Sequence, residues 1–144
     1  MTDATLHGPD VEPASRFLEA AGLHLTTVTG TRVVGTVELG PEHHTPWGVV
    51  HGGVFTTAVE SAASLGASAA VADRDQFAVG VHNATDFLRP MTAGTVHVEA
   101  LPVQQGRTLQ LWQVDITNAA DGKLVARGQL RLQNVPLRHP DSQP

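Results

Sequence analysis

The chain of 144 residues contains no cysteine and no tyrosine, and its aromatic content is four Phe and two Trp. Without cysteine there is no disulfide framework, no thiolate metal site and no thiol nucleophile. Positive charge is scarce too: nine Lys plus Arg stand against fourteen Asp plus Glu, a formal net charge of -5, and the basic residues are scattered singly. That pattern argues against a nucleic-acid surface or a polybasic membrane contact, although single arginines can still hold small anionic groups. Met1 is followed by Thr2, Asp3 and Ala4 rather than by a basic and then apolar run, and no stretch approaches eighteen uninterrupted apolar residues. A soluble, cytoplasmic protein is expected. The Gly-x-Ser-x-Gly elbow, the phosphate loop ending in Gly-Lys-Ser/Thr and the Gly-x-Gly-x-x-Gly fingerprint are all missing, so the chemistries built on them are excluded.

What is present fits a single domain, long enough to close one core and too short for a second. Residues 1–12, with His7, Gly8 and Pro9, lack apolar periodicity and read as a mobile arm. From 13 to 21 the order fits a short helix, with Pro13 in its first turn and Gly22 as its stop. Residues 23–29 and 31–39, rich in Thr and Val around Gly30, predict two strands, and 40–47 is a loop by its Gly and Pro content. Past residue 76 come four strands at 77–87, 95–103, 108–117 and 124–133, the last two joined by a turn holding Asp121-Gly122. In the third of these, Gln110, Trp112, Val114 and Ile116 form the mostly apolar set and predict an inward face. The domain is bounded at 13–135, and 136–144, with three prolines, reads as a mobile tail.

The chain is organised around residues 54–72, an Ala-dense run without proline that reads as one long helix opened by Gly52 and Gly53. Thr57, Glu60, Ser64 and Ser68 fall three, four and four residues apart and form one polar stripe. The other sides are apolar, so burial is expected, and Glu60 would enter the interior with the helix. Short connections predict an antiparallel sheet wrapped around this helix, with a free edge strand that a second copy could cover.

Gly52 and Gly53 bring unpaired N–H groups and the positive end of the helix dipole, which suits a developing oxyanion. Glu60 lies about two turns on, roughly 10 Å along the axis, so one helix does not readily bring both groups to one atom. A second helix alongside would. Simpler roles stand beside these: His51 as a cap of the helix entry, and Ser64 and Ser68 returning hydrogen bonds to the preceding turn, above all Ser68. His43, His44 and His51 lack the spacing of a metal set, and loop histidines are the better reading. Arg89 and Arg107 each adjoin a turn where a phosphate could reach them.

The run Val49-Val50-His51-Gly52-Gly53, an acid at Glu60, the element Phe87-Leu88-Arg89-Pro90 and Gly106-Arg107-Thr108 together resemble the hotdog-fold acyl-CoA thioesterases, in particular the PaaI-like and 4-hydroxybenzoyl-CoA thioesterase group. The resemblance spans nearly all of 20–135. It implies an α+β hotdog domain, with an antiparallel sheet around one long helix, paired into dimers and usually tetramers with active sites between subunits. It further implies Glu60 as nucleophile or general base, the Gly52 amide as the group that polarises the thioester oxygen, and His51 supporting that loop with Gly53 beside it. Ser64 falls where such enzymes position water or the acid. Arg89, Arg107 and Thr108 fall where they contact coenzyme A, and Asn83 where a residue holds the loop or lines the acyl pocket. Thr45 stands where relatives carry Gln or Asn to help hold the carbonyl, so that task passes to Thr45 itself, His44, His51 or backbone. No metal or redox cofactor is implied. The rival readings are a hotdog dehydratase or hydratase and a non-catalytic acyl-CoA binder.

Overall fold

A computed structural model describes residues 15–138. The proposed arm at 1–12 and residues 139–144 of the proposed tail lie outside that range. The elements in order are α1 (Arg16–Ala21), β1 (Leu23–Val28), β2 (Val33–Leu39), a 3-10 turn (Pro41–His43), α2 (Gly52–Val71), a second 3-10 turn (Ala72–Arg74), β3 (Gln76–Phe87), β4 (Gly94–Gln105), β5 (Leu109–Asn118) and β6 (Leu124–Pro136). The short first helix starts three residues later than the proline suggested. Ser15 caps it, its Oγ accepting from the Leu18 amide, and Gly22 ends it in the left-handed region at φ 76°.

The six strands form one antiparallel sheet in the order β1-β2-β4-β5-β6-β3. β3 leaves α2 at the far side of the sheet and pairs with the last strand, so β1 and β3 are its edges. The inward set of β5 is as the alternation predicted: Gln110, Trp112, Val114 and Ile116 are all buried. At the β5–β6 turn, Gly122 has φ 70° and its N–H donates to the Asn118 carbonyl. β6 runs further than expected: Pro136 stands opposite Gln76, and the Leu137 N–H donates to the Asp75 carbonyl. The start of the proposed tail is therefore tied to the sheet. Proline costs nothing there because it sits at a strand end.

By length and composition alone, Gly52–Arg74 could cross a membrane. In this fold it lies in the hollow of the sheet. Val59, Ala62, Ala63 and Ala67 are wholly buried against Trp112, Val114, Leu130 and Leu132. The approach is close because the helix is small-sided: a Cβ on Gly66 would lie 2.5 Å from the Trp112 ring. One side of α2 stays uncovered, and the site is on that side.

Candidate active site

The loop into α2 is built by backbone before any side chain acts. His44 bridges Val50, the His51 N–H donates to the His43 carbonyl, and the Val50 N–H donates to the Met91 carbonyl. This ties the helix start to the segment that follows β3. His51 then caps α2, its Nδ1 accepting from the Gly53 amide at 2.8 Å. The capping role weighed from sequence is the one observed, and it fixes that ring nitrogen as unprotonated. Because Gly53 is engaged, the first free donor of the helix is Gly52, whose N–H meets no acceptor among the described residues.

Gly52 packs against the edge of Phe87, where an added Cβ would lie 2.7 Å from the ring. A cavity of about 300 Å³ opens here, lined by Val49, Gly52, Phe55, Phe87 and Arg89 among others. The structure thus brings Gly52 and Arg89 together. An unpaired N–H at a helix start and an exposed guanidinium in one cavity suit an anionic or polarised oxygen. Phe87, in the sequence only a member of the Phe-Leu-Arg-Pro element, thus lines this cavity.

Glu60 overturns an expectation. It is exposed in the protomer, not buried. The wheel found its face correctly but could not say how far one sheet covers a helix, and this face is left outside. Its carboxylate lies over β3 beside Gly80, where a Cβ would be 3.1 Å from Glu60 Oε1, and the β3–β6 register shifts between Gly80 and His82. Thr56, Thr57 and Ser61 share a cavity of about 280 Å³ with it. The hydroxyls of Thr56 and Thr57 donate back to the carbonyls of Gly52 and Gly53, at 3.2 and 2.7 Å. Within one protomer Gly52 and Glu60 line different cavities.

The remaining candidates separate. Ser64 is half-buried one turn beyond Glu60. Ser68 does not bond back along the helix; its Oγ accepts from the Ala78 amide at 3.0 Å and so ties α2 to β3. Asn83 is a brace: its Nδ2 donates to the Thr56 carbonyl and its Oδ1 accepts from Thr85 Oγ1. The Thr45 hydroxyl accepts from the Trp47 amide within its own turn, and His44 Nε2 contacts the Thr92 carbonyl at 2.6 Å. Arg107 and Thr108 sit at the other end of α2, in a turn whose Gly106 and Arg107 carbonyls accept from Asn134 Nδ2. Among the described residues no three His, Asp or Glu side chains gather as a metal-holding group.

Residues 48–125 match a family model described as Thioesterase superfamily. The Rv1847 protein of Mycobacterium tuberculosis is 40% identical over 124 residues, covering 85% of this chain and 88% of that protein. Its solved structure superposes with a TM-score of 0.82 at 38% identity, over 87% of this chain and 100% of that one. The 1,4-dihydroxy-2-naphthoyl-CoA thioesterase 2 of Arabidopsis thaliana is 34% identical over 103 residues, 71% of this chain and 64% of that protein. A variant of the phenylacetic acid degradation protein PaaI from Thermus thermophilus superposes with a TM-score of 0.73 at 28% identity, over 84% of this chain and 100% of that one. The antiparallel sheet around one long helix is the hotdog fold.

Proposed function

The chain belongs to the thioesterase superfamily and is a thioester hydrolase, and from that premise we propose that it hydrolyses aromatic or medium-chain acyl-CoA to the carboxylic acid and free coenzyme A. The observation that carries this reading is Glu60, a carboxylate on the open side of an otherwise uncharged central helix, beside a cavity and within reach of solvent. Glu60 takes a proton from water as the water oxygen adds to the thioester carbon, or adds to that carbon itself. The carbonyl oxygen becomes an oxyanion held by a helix-start N–H of the Gly52 kind. Collapse breaks the C–S bond. With water as the nucleophile, the sulfur leaves as a thiol carrying the proton that Glu60 took. With Glu60 as the nucleophile it leaves as a thiolate, after which water hydrolyses the mixed anhydride, releasing the acid, regenerating the Glu60 carboxylate and supplying the proton to the thiolate.

One protomer separates the two groups, so we assign the active site to a pair of copies. β3 is a free edge and leaves Phe77, Val79, Val81 and Phe87 exposed at 39%, 40%, 53% and 55%. Pairing two such edges antiparallel satisfies their free backbone N–H and C=O groups and lays two α2 helices side by side, with the helix start of one toward the Glu60 of the other. Arg89, beside Gly52, then meets the phosphates of coenzyme A. Arg107 and Thr108 form a second, more distant contact, and a pairing of dimers completes the assembly.

Thiol release from aromatic, short and long acyl-CoA esters by wild type and Glu60→Gln tests the reading. Loss of at least about two orders of magnitude in kcat, without loss of thermal stability, is expected for removing an acid, base or nucleophile. Equal turnover by both proteins removes Glu60 from the mechanism. Binding of esters without release by either favours the acyl-CoA binder.

A further inference from the structure

The outer side of α2 carries a groove of which the mechanism above uses only the Glu60 end. Its larger part, about 550 Å³, lies between α1 and the first turns of α2 and is lined by Phe17, Ala20, His43, His51, Val54 and Thr57 among others. Its smaller part is the Glu60 cavity, lined also by Leu18. Phe17, Thr56 and Thr57 belong to both parts. Together they fall in the size range of a small-molecule site.

Phe17 is the unusual member. α1 buries none of its residues, and Phe17 and Leu18 are 67% and 44% exposed. A short helix normally turns its large apolar side chains into the core. Here they border the groove. The placement is fixed from the C-terminal end of α1: His43 is buried, its Nδ1 accepts from the Gly40 amide at 3.2 Å, and its Nε2–H therefore donates to the Ala20 carbonyl at 2.8 Å. Phe17, one turn back from Ala20, is held beside Thr56 and Thr57.

From this geometry we infer that Phe17 is a specificity-determining residue, the wall that sets how long or bulky an acyl group the enzyme takes. The inference rests on the thioesterase reading of Glu60 and names the path of the acyl group from it. With the thioester carbon at Glu60, the acyl chain runs along Thr56 and Thr57 into the groove between α1 and α2, toward His51 and His43. The chemical class that fits is an apolar acyl group without a second carboxylate, since the groove carries Phe17, Ala20, Ala21 and Val54 along its wall and an acid, Glu42, that would repel one.

The test compares kcat/KM for butyryl-, octanoyl-, dodecanoyl- and benzoyl-CoA in wild type, Phe17→Ala and Phe17→Trp, with inhibition by free coenzyme A measured beside it. Removing the ring is expected to move the ratio of the dodecanoyl to the butyryl ester upward by about tenfold, the scale on which an apolar pocket resolves added methylenes. Phe17→Trp should move it downward. Inhibition by free coenzyme A should stay within about twofold of wild type in both, because the groove receives the acyl end only. Profiles that rise or fall in parallel for all esters, or a change in coenzyme A inhibition that tracks the change in turnover, overturn the inference. If wild type releases thiol from none of the esters, the thioesterase reading beneath it falls; release with an unmoved profile defeats the role of Phe17 alone.

Discussion

Near its C-terminal end α2 lies under Trp112 at Gly66, and its Ala67 carbonyl accepts from Gln110 Nε2 at 3.0 Å. Gln110 also donates to Asn134 Oδ1 and accepts from Trp112 Nε1, at 2.8 and 2.9 Å, so three buried polar side chains are satisfied by one another. At its N-terminal end the same helix leaves the Gly52 amide without an acceptor among the described residues and holds Glu60 out of the core. The two ends are made of similar small residues, yet one is closed and the other open. Buried polar groups that are fully paired rigidify a fold, whereas an unpaired donor beside a cavity is available to a ligand. Rigidity at one end of α2 is what lets the other keep its polar groups uncommitted.

Substitutions that act on one end only test this division, and the largest effect is expected at the closed end. Gln110→Leu keeps the volume but strands the Trp112 N–H, the Asn134 side chain and a share of the Ala67 carbonyl. With each buried orphan costing about 1–3 kcal/mol, the loss should be about 3 kcal/mol or more, read as a shift of the denaturant midpoint. Turnover per folded molecule should be unchanged. A fall in kcat larger than the loss of folded protein would break the division. At the open end, His51→Ala removes the cap and should cost about 1 kcal/mol, a few degrees of Tm, as N-cap truncations do. It frees the Gly53 amide and loosens the loop before Gly52, so kcat/KM should fall by about tenfold. Loss of stability without loss of activity would make His51 a cap and nothing more.

Much of this was legible in the sequence, and the misreadings share a cause. Local period identified the strands, the long helix and the inward face of β5, because the alternation of Gln110, Trp112, Val114 and Ile116 is set by the sheet pleat itself. What escaped depends on partners distant in the chain. Ser68 finds Ala78 on β3 rather than its own helix, and Gln110, read only as part of an apolar set, is the hub of a network reaching Asn134. Glu60 was placed on the right stripe but at the wrong depth, since a wheel gives direction and the sheet decides coverage. Gly52 and Arg89 were each named through the family resemblance, but that they share one cavity is visible only in the fold. Phe17 was not, because nothing in a six-residue helix announces what lies beneath it.

The smallest effects concern two arginines that the sequence treats alike and the fold does not. Arg89 lines the cavity at Gly52, while Arg107 lies in the turn that Asn134 holds near Ala67. Fifteen residues of α2 separate those two levels, about 22 Å along the axis. One protomer therefore cannot close both guanidinium groups on a single phosphate. Arg89→Ala should raise KM for an acyl-CoA by about tenfold, the worth of one hydrogen bond to a charged group, with kcat little changed. Arg107→Ala should raise it by about twofold at most, and both should leave Tm unmoved, because each side chain is exposed. Should the two variants raise KM equally, the phosphates of the substrate must be gripped at both ends of α2, and the turn at Arg107 would have to be supplied by another copy of the chain.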